Sequence, residues 1–269
     1  MKTLSWLALF ALAAAGCARV QPVEIPDTVP ELRPGLLQGY LAPEELPNSV
    51  ALVPPPPAAG SAAEVRDQEA SAAALALRGS PRWDLAAADA VLTFPEAAET
   101  FSCALGARIT EQAAPNLYMV LRRTLADLGL STYAAKNRYE RPRPFMVNGA
   151  PTCIPDDEAS LRSNGAYPSG HSAIGWGWGL ILAEVAPGRA DELLARGRAF
   201  AESRVICNVH WWSDVMEGQR MGAAAVARLH ADPVFRAQLD LAREEVDALL
   251  ASGEPPVRDC AAEAAALGG

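Results

Sequence analysis

Ser203-Arg204-Val205-Ile206-Cys207-Asn208-Val209-His210-Trp211-Trp212-Ser213-Asp214 joins two helical patterns, Ala190 to Val205 and Trp211 to Leu229, and carries the densest chemistry in the chain. His210 and Asp214 are spaced i, i+4, so the carboxylate can reach one imidazole nitrogen. Such a contact fixes the tautomer and leaves the other nitrogen free as a nucleophile. Arg204 precedes His210 by six residues, about 240° around an ideal helix. One straight helix would point the two side chains apart, so the pattern predicts a break near Cys207-Asn208. A lone His-Asp pair at this spacing also occurs for purely structural reasons, and the reading therefore depends on what accompanies it.

Two clusters lie upstream. Pro168-Ser169-Gly170-His171 opens an apolar helical run that ends at Val185 before Pro187-Gly188. Ser169 stands at a capping position, Gly170 lets a ligand approach the backbone, and helix-start N–H groups bind anions. His171 would stand at the rim of that anion site. Further upstream, Lys136 and Arg143-Pro144 are interrupted by Pro142. Proline disfavours helical geometry at the residue before it. Lys136 is thus predicted to leave the last turn of a helix and Arg143 an extended segment, two directions from which cations can close on one anion. Arg138 and Arg141 beside them read as solvated basic surface. Of the three histidines, two fall in these clusters, and histidine is the side chain best suited to proton work near neutrality. His230 sits at a helix end before Asp232-Pro233, where a cation complements the helix dipole, and reads as structural.

The 269-residue length can bury one sizeable core. Alanine and leucine dominate after residue 60 and β-branched runs are short, which favours helices over strands. Helices are predicted over Ala62–Leu77, Trp83–Leu92, Glu96–Ala107, Pro115–Leu128 with Gly129 as its stop, Thr132–Tyr139, His171–Val185, Ala190–Val205, Trp211–Leu229 and Val234–Leu250. The expected fold is an all-α, single-domain bundle over residues 61–252, with a short tail over 253–269. Ten prolines between Pro22 and Pro57 make residues 18–60 either a flexible tether or an extended arm. Its Leu36, Leu37, Tyr40, Leu41, Leu52 and Val53 argue that it docks on the body. Net charge is −9 with no basic tract, which argues against nucleic acid.

Residues 1–17 read as an export signal: Lys2, an apolar run from Leu4 to Ala15, then small residues before Cys17. The run is shorter than a membrane anchor of about 18 residues, and no other stretch is a candidate span. The sequence Ala15-Gly16-Cys17 resembles a lipoprotein signal, although Ala14 occupies the place where leucine is usual, so a lipid anchor at Cys17 stays open. Periplasmic delivery is the expected destination. The remaining cysteines, Cys103, Cys153, Cys207 and Cys260, allow three disulfide pairings in an oxidising compartment. Cys153 with Cys207 and Cys103 with Cys260 is the favoured one, because the motifs around Cys153 and Cys207 would already meet. Four buried free thiols are the alternative. No Cys-x-x-Cys pair suggests zinc.

Taken together the clusters resemble the three-part signature of the phosphatidic acid phosphatase and vanadium haloperoxidase superfamily: Lys-x6-Arg-Pro, Pro-Ser-Gly-His and Ser-Arg-x5-His-x3-Asp, with every fixed position filled. Within it the chain is similar to class A bacterial non-specific acid phosphatases over roughly Tyr40 to Glu245. The resemblance implies a helical fold with the site at the ends of a central bundle, and neither metal nor cofactor. It implies a phosphohistidine on His210 oriented by Asp214, and proton donation to the leaving alcohol by His171. Lys136, Arg143, Ser169, Gly170 and Arg204 would hold the phosphoryl oxygens. Small phosphate monoesters are the implied substrates, with transfer to another alcohol as a side activity; a homo-oligomer stays open. The competing readings are a vanadium-dependent haloperoxidase, a membrane lipid phosphatase, and a non-catalytic phosphate-binding envelope lipoprotein.

Overall fold

The computed structural model describes residues 23–268, so the predicted export signal and Cys17 lie outside the described residues. Elements follow in chain order: β1 Glu31–Arg33, β2 Leu36–Leu37, α1 Ser49–Leu52, α2 Ala62–Leu75, α3 Pro81–Ala88, α4 Glu96–Glu99, α5 Ser102–Leu105, α6 Pro115–Leu130 and α7 Tyr133–Tyr139. After these come α8 Pro144–Asn148, α9 Glu158–Leu161, α10 Gly170–Val185, α11 Ala190–Ile206, α12 Trp212–Leu229, α13 Pro233–Ser252 and α14 Cys260–Leu267. The strands form one small antiparallel hairpin. The fold is all-α, as the composition predicts.

Helix α10 is the axis, packed by α6, α11, α12 and α13. Its apolar residues are buried nearly all round, and Trp178 donates its indole N–H to Thr124 Oγ1 at 3.1 Å. Each fully buried large side chain of this kind contributes about 1.5–3 kcal/mol. Helix α12 approaches α10 through two small residues. A Cβ at Gly218 would lie 2.4 Å from the Ser169 carbonyl oxygen, and one at Gly222 2.4 Å from that of Ala173. This close approach brings the start of α12, with Asp214, against the start of α10, with Ser169 and His171. The Ser169 N–H donates to the Asp214 carbonyl at 2.9 Å and pins the two starts together.

Residues 23–60 hold to the body at several points. The N–H groups of Tyr40 and Leu41 donate to the two carboxylate oxygens of Asp127 at 2.9 and 3.0 Å, and Leu37, Tyr40, Leu41 and Val53 are buried. Both favoured disulfides are formed, Cys103–Cys260 and Cys153–Cys207.

Three predicted elements differ. The single helix over Glu96–Ala107 is two short turns, α4 and α5, separated at Thr100-Phe101. Phe101 is buried against Phe200 and Trp178, so tertiary packing sets its backbone rather than helix propensity. Gly129 does not stop α6, which runs through it to Leu130; a Cβ there would sit 3.4 Å from Ile174 of α10. The segment 253–269 is not a plain tail, because α14 forms within it and packs on α3, tied by Cys103–Cys260.

Candidate active site

The break predicted between Arg204 and His210 is present. Helix α11 ends at Ile206, and Asn208 takes a left-handed conformation (φ 61°) that asparagine tolerates. The chain then folds back, and the N–H groups of Val209 and His210 both donate to the Arg204 carbonyl. Arg204 and His210, which a straight helix would separate, end in the same charged neighbourhood.

Lys136 leaves the last turn of α7, and Arg143 is extended (φ −78°, ψ 154°) just ahead of α8. Lys136 is buried and donates to the Gly165 carbonyl at 2.9 Å. Burial first, then the neighbouring Arg143, pulls its ammonium down to about 7. The Arg143 guanidinium is buried too, donating to the carbonyls of Leu161 and Val209 and to Asn164 Oδ1. Its Nη1 also lies 3.0 Å from His210 Nε2. Arginine can only donate, so Nε2 is the accepting, unprotonated nitrogen and the proton resides on Nδ1. Nδ1 faces Asp214 Oδ2 at 3.4 Å, close but short of a formed hydrogen bond. Such contacts commonly tighten when substrate arrives.

Arg204 is fully buried, and its Nε and Nη1 have no hydrogen-bond partner among the described residues. A buried, unpaired guanidinium is costly unless an anion completes it. Burial, then Arg143, lowers it to about 10, and burial lowers Arg143 to about 10 as well. Ser169 caps α10, its Oγ accepting from the N–H and the hydroxyl of Ser172. Gly170 has only ordinary contacts around a built Cβ, the nearest being Thr132 Oγ1 at 3.6 Å, so protein packing alone does not demand glycine there. His171 Nε2 lies 3.1 Å from the Ala90 carbonyl and must donate to it, which leaves Nδ1 as the nitrogen open to a ligand.

Both imidazoles are driven well below the ordinary histidine range, first by burial. His210 then feels Arg143, Lys136, Arg204 and His171, while His171 feels Arg204, Arg143 and Lys136. The Ala90 carbonyl favours the charged form of His171 alone. Each imidazole thus lies within electrostatic range of all three cations. Burial lifts the Asp214 carboxyl to about 6, opposed by Arg141 and the Trp211 N–H. Beside Lys136 a cavity of about 350 Å³ opens, lined also by Asn137, Arg141, Arg162, Asn164 and Gly165. A separate cavity of about 420 Å³ is lined by Glu96, Glu99, Glu111 and Arg108 and touches none of the site residues above.

Sequence reasoning misplaced one residue and missed others. Arg141, read as solvated surface, is a correction: its side chain is 11% exposed and bridges Asp67 and Asp214. It turns inward because its guanidinium meets two buried carboxylates. Asp67 on α2 gave no signal, since nothing in its local pattern marks it. Ser203 proves to be an anchor, its Oγ donating to Asp89 Oδ2 at 2.6 Å. Gly165 supplies the carbonyl for Lys136 and packs so tightly that a Cβ would meet the Lys136 carbonyl oxygen at 2.7 Å.

A helical site with buried cations around two imidazoles is the signature of a class, and the PAP2 superfamily profile matches residues 117–236, the span that holds every motif. The non-specific acid phosphatase of Salmonella typhimurium is 43% identical over 212 residues, covering 78% of this chain and 85% of the relative. That of Providencia stuartii is 42% identical over 207 residues (77% and 84%), and the acid phosphatase of Zymomonas mobilis 38% over 202 (75% and 76%). The chain belongs to the PAP2 superfamily, among its bacterial non-specific acid phosphatases.

Proposed function

We propose that the chain is an exported, metal-independent acid phosphatase that cleaves small phosphate monoesters through a phosphohistidine at His210. The observation that carries this reading is Arg204: a fully buried guanidinium, open at Nε and Nη1, in the electrostatic field of Arg143 and both imidazoles. A phosphoryl group supplies the missing negative partner, and phosphoryl transfer is mostly positioning and charge stabilisation.

In the first step the His210 Nε2 lone pair attacks phosphorus as the bond to the ester oxygen breaks. Arg143 exchanges its contact with Nε2 for a phosphoryl oxygen, and Lys136, Arg204, the Ser169 hydroxyl and the Gly170 N–H complete the cradle. His171 Nδ1–H gives its proton to the departing alcohol. In the second step water attacks phosphorus, the P–N bond breaks, and the water's proton passes to His171 Nδ1. Inorganic phosphate leaves; another alcohol in place of water gives phosphotransfer. Asp214 holds the Nδ1–H of His210 and stabilises its charge during attack.

The lowered histidines support an acid optimum. His210 must be neutral, and His171 charged, when substrate binds. Both are displaced downward, and the Ala90 carbonyl favours the charged form of His171 and not of His210. The profile of kcat/KM thus falls at high pH as His171 loses its proton, below the ordinary histidine range, and at low pH as His210 gains one. Residues 1–17 and the two disulfides support export to the periplasm.

Rapid quench of a labelled aryl phosphate in the presence of a chelator tests the chemistry. The expected result is an acid-labile phosphoenzyme that is absent in His210→Ala. Turnover abolished by the chelator, or a phosphoenzyme that survives His210→Ala, would overturn the mechanism.

A further inference from the structure

Asp67 lies on α2, outside the span matched by the superfamily profile, and is 1% exposed. Its Oδ1 accepts from the Ser213 N–H at 2.7 Å. Its Oδ2 accepts from the Ser213 hydroxyl at 2.6 Å and from Arg141 Nη2 at 2.7 Å. The other prong of Arg141, Nη1, reaches Asp214 Oδ1 at 2.6 Å and the Ser213 Oγ at 2.8 Å. Asp214 Oδ2 is thereby left to the Trp211 N–H at 2.8 Å and to His210 Nδ1 at 3.4 Å.

The arrangement resolves a conflict. A guanidinium beside a carboxylate prefers to bind both oxygens with both prongs. Were Arg141 to do so, Oδ2 would turn from His210, and the imidazole would lose what keeps its proton on Nδ1. From these contacts we infer that Asp67 is a positioning residue for phosphoryl transfer: by occupying one prong of Arg141, it confines that arginine to a single oxygen of Asp214 and reserves the second for His210. The inference rests on the phosphohistidine reading above. Helix α2 thus enters the chemistry without touching substrate, and Ser213 locks the three charged groups by donating to Asp67 and accepting from Arg141.

Steady-state and single-turnover kinetics of Asp67→Asn, in the parent and in an Asp214→Asn background, test this role, with circular dichroism and Tm as folding controls. A small displacement of a reacting group can cost about 10²-fold, so Asp67→Asn is expected to lower kcat and phosphoenzyme formation by about 10–100-fold. KM should move little, because the phosphate-holding cations keep their places. Asp67→Glu should recover part of the rate. In the Asp214→Asn background the same substitution should change little, because Oδ2 is no longer a carboxylate oxygen to reserve. If Asp67→Asn does not fold, Ser213→Ala decides: it keeps every charge, and a lower kcat at constant KM supports the role. Folded Asp67→Asn with parental kcat, an equal loss in both backgrounds, or an unaffected Ser213→Ala overturns it. A parent without phosphatase turnover overturns the underlying phosphohistidine reading instead, which separates the two failures.

Discussion

Arg196 and Arg204 are both buried on α11, yet their surroundings are opposite. Arg196 meets two carboxylates, Asp89 and Glu263, although its Nε, 3.2 Å from Glu263 Oε1, forms no hydrogen bond. Burial is the largest influence and lowers its guanidinium, but Asp89 and Glu263 together hold it above its usual range. Among the described residues Arg204 meets none within bonding distance and keeps two N–H groups unpaired, and it is lowered to about 10. One arginine has its charge balanced by the protein and the other only by something that arrives. Burial alone therefore says little about role; the presence or absence of a counter-charge decides it. Ser203, next in line to Arg204, bonds Asp89 and belongs to the structural half of this contrast.

The comparison can be broken in several ways. Arg196→Met should have the largest effect, because it strands Asp89. Breaking a buried pair costs about 3–5 kcal/mol, read as a drop in chemical unfolding stability, with turnover per folded molecule largely retained. Arg204→Ala should do the reverse. Loss of one donor to a developing oxyanion lowers kcat by about 10²–10³-fold, or roughly 2.7–4 kcal/mol, while unfolding stability changes much less than in Arg196→Met. Destabilisation of Arg204→Ala equal to that of Arg196→Met would erase the distinction.

Inorganic phosphate sharpens it further. At 100 times its Kd a ligand stabilises the native state by about 2.7 kcal/mol. Thermal shift should therefore show phosphate stabilising the parent and Arg196→Met, and much less so Arg204→Ala at the same concentration. The smallest expected effect concerns pH. Arg204 is the leading charged neighbour that disfavours the imidazolium of His171. Deleting it raises that group, so the basic limb of kcat/KM in Arg204→Ala moves to higher pH. An unmoved limb would mean that His171 is not the acid.

The contrast also explains what could be read from the chain. The helices flanking each motif, the break before His210 and the divergent directions of Lys136 and Arg143 follow from local rules of proline, glycine and periodicity, and so they were legible. The motif resemblance supplied the partners that local spacing could not. Arg141 was misread because its partners, Asp67 and Asp214, are 74 and 73 residues away. Its charge state was visible and its burial was not. Asp67 itself sits on a helix of mixed small and polar residues, where a carboxylate is ordinary. The split of Glu96–Ala107 into two turns likewise depends on Phe101 finding Phe200, a contact between distant segments. What escapes the sequence in each case is a long-range partner, whether for a charge or for a ring.

The account stands on His171, His210 and three cations sharing one oxyanion, and a crystal structure of the protein with vanadate tests that most directly. It predicts vanadium bonded to His210 Nε2, its oxygens within hydrogen-bond distance of Lys136, Arg143 and Arg204, and His171 Nδ1 facing the apical oxygen. Vanadate bound away from Arg204, or the two histidines opening onto different surfaces, would contradict it.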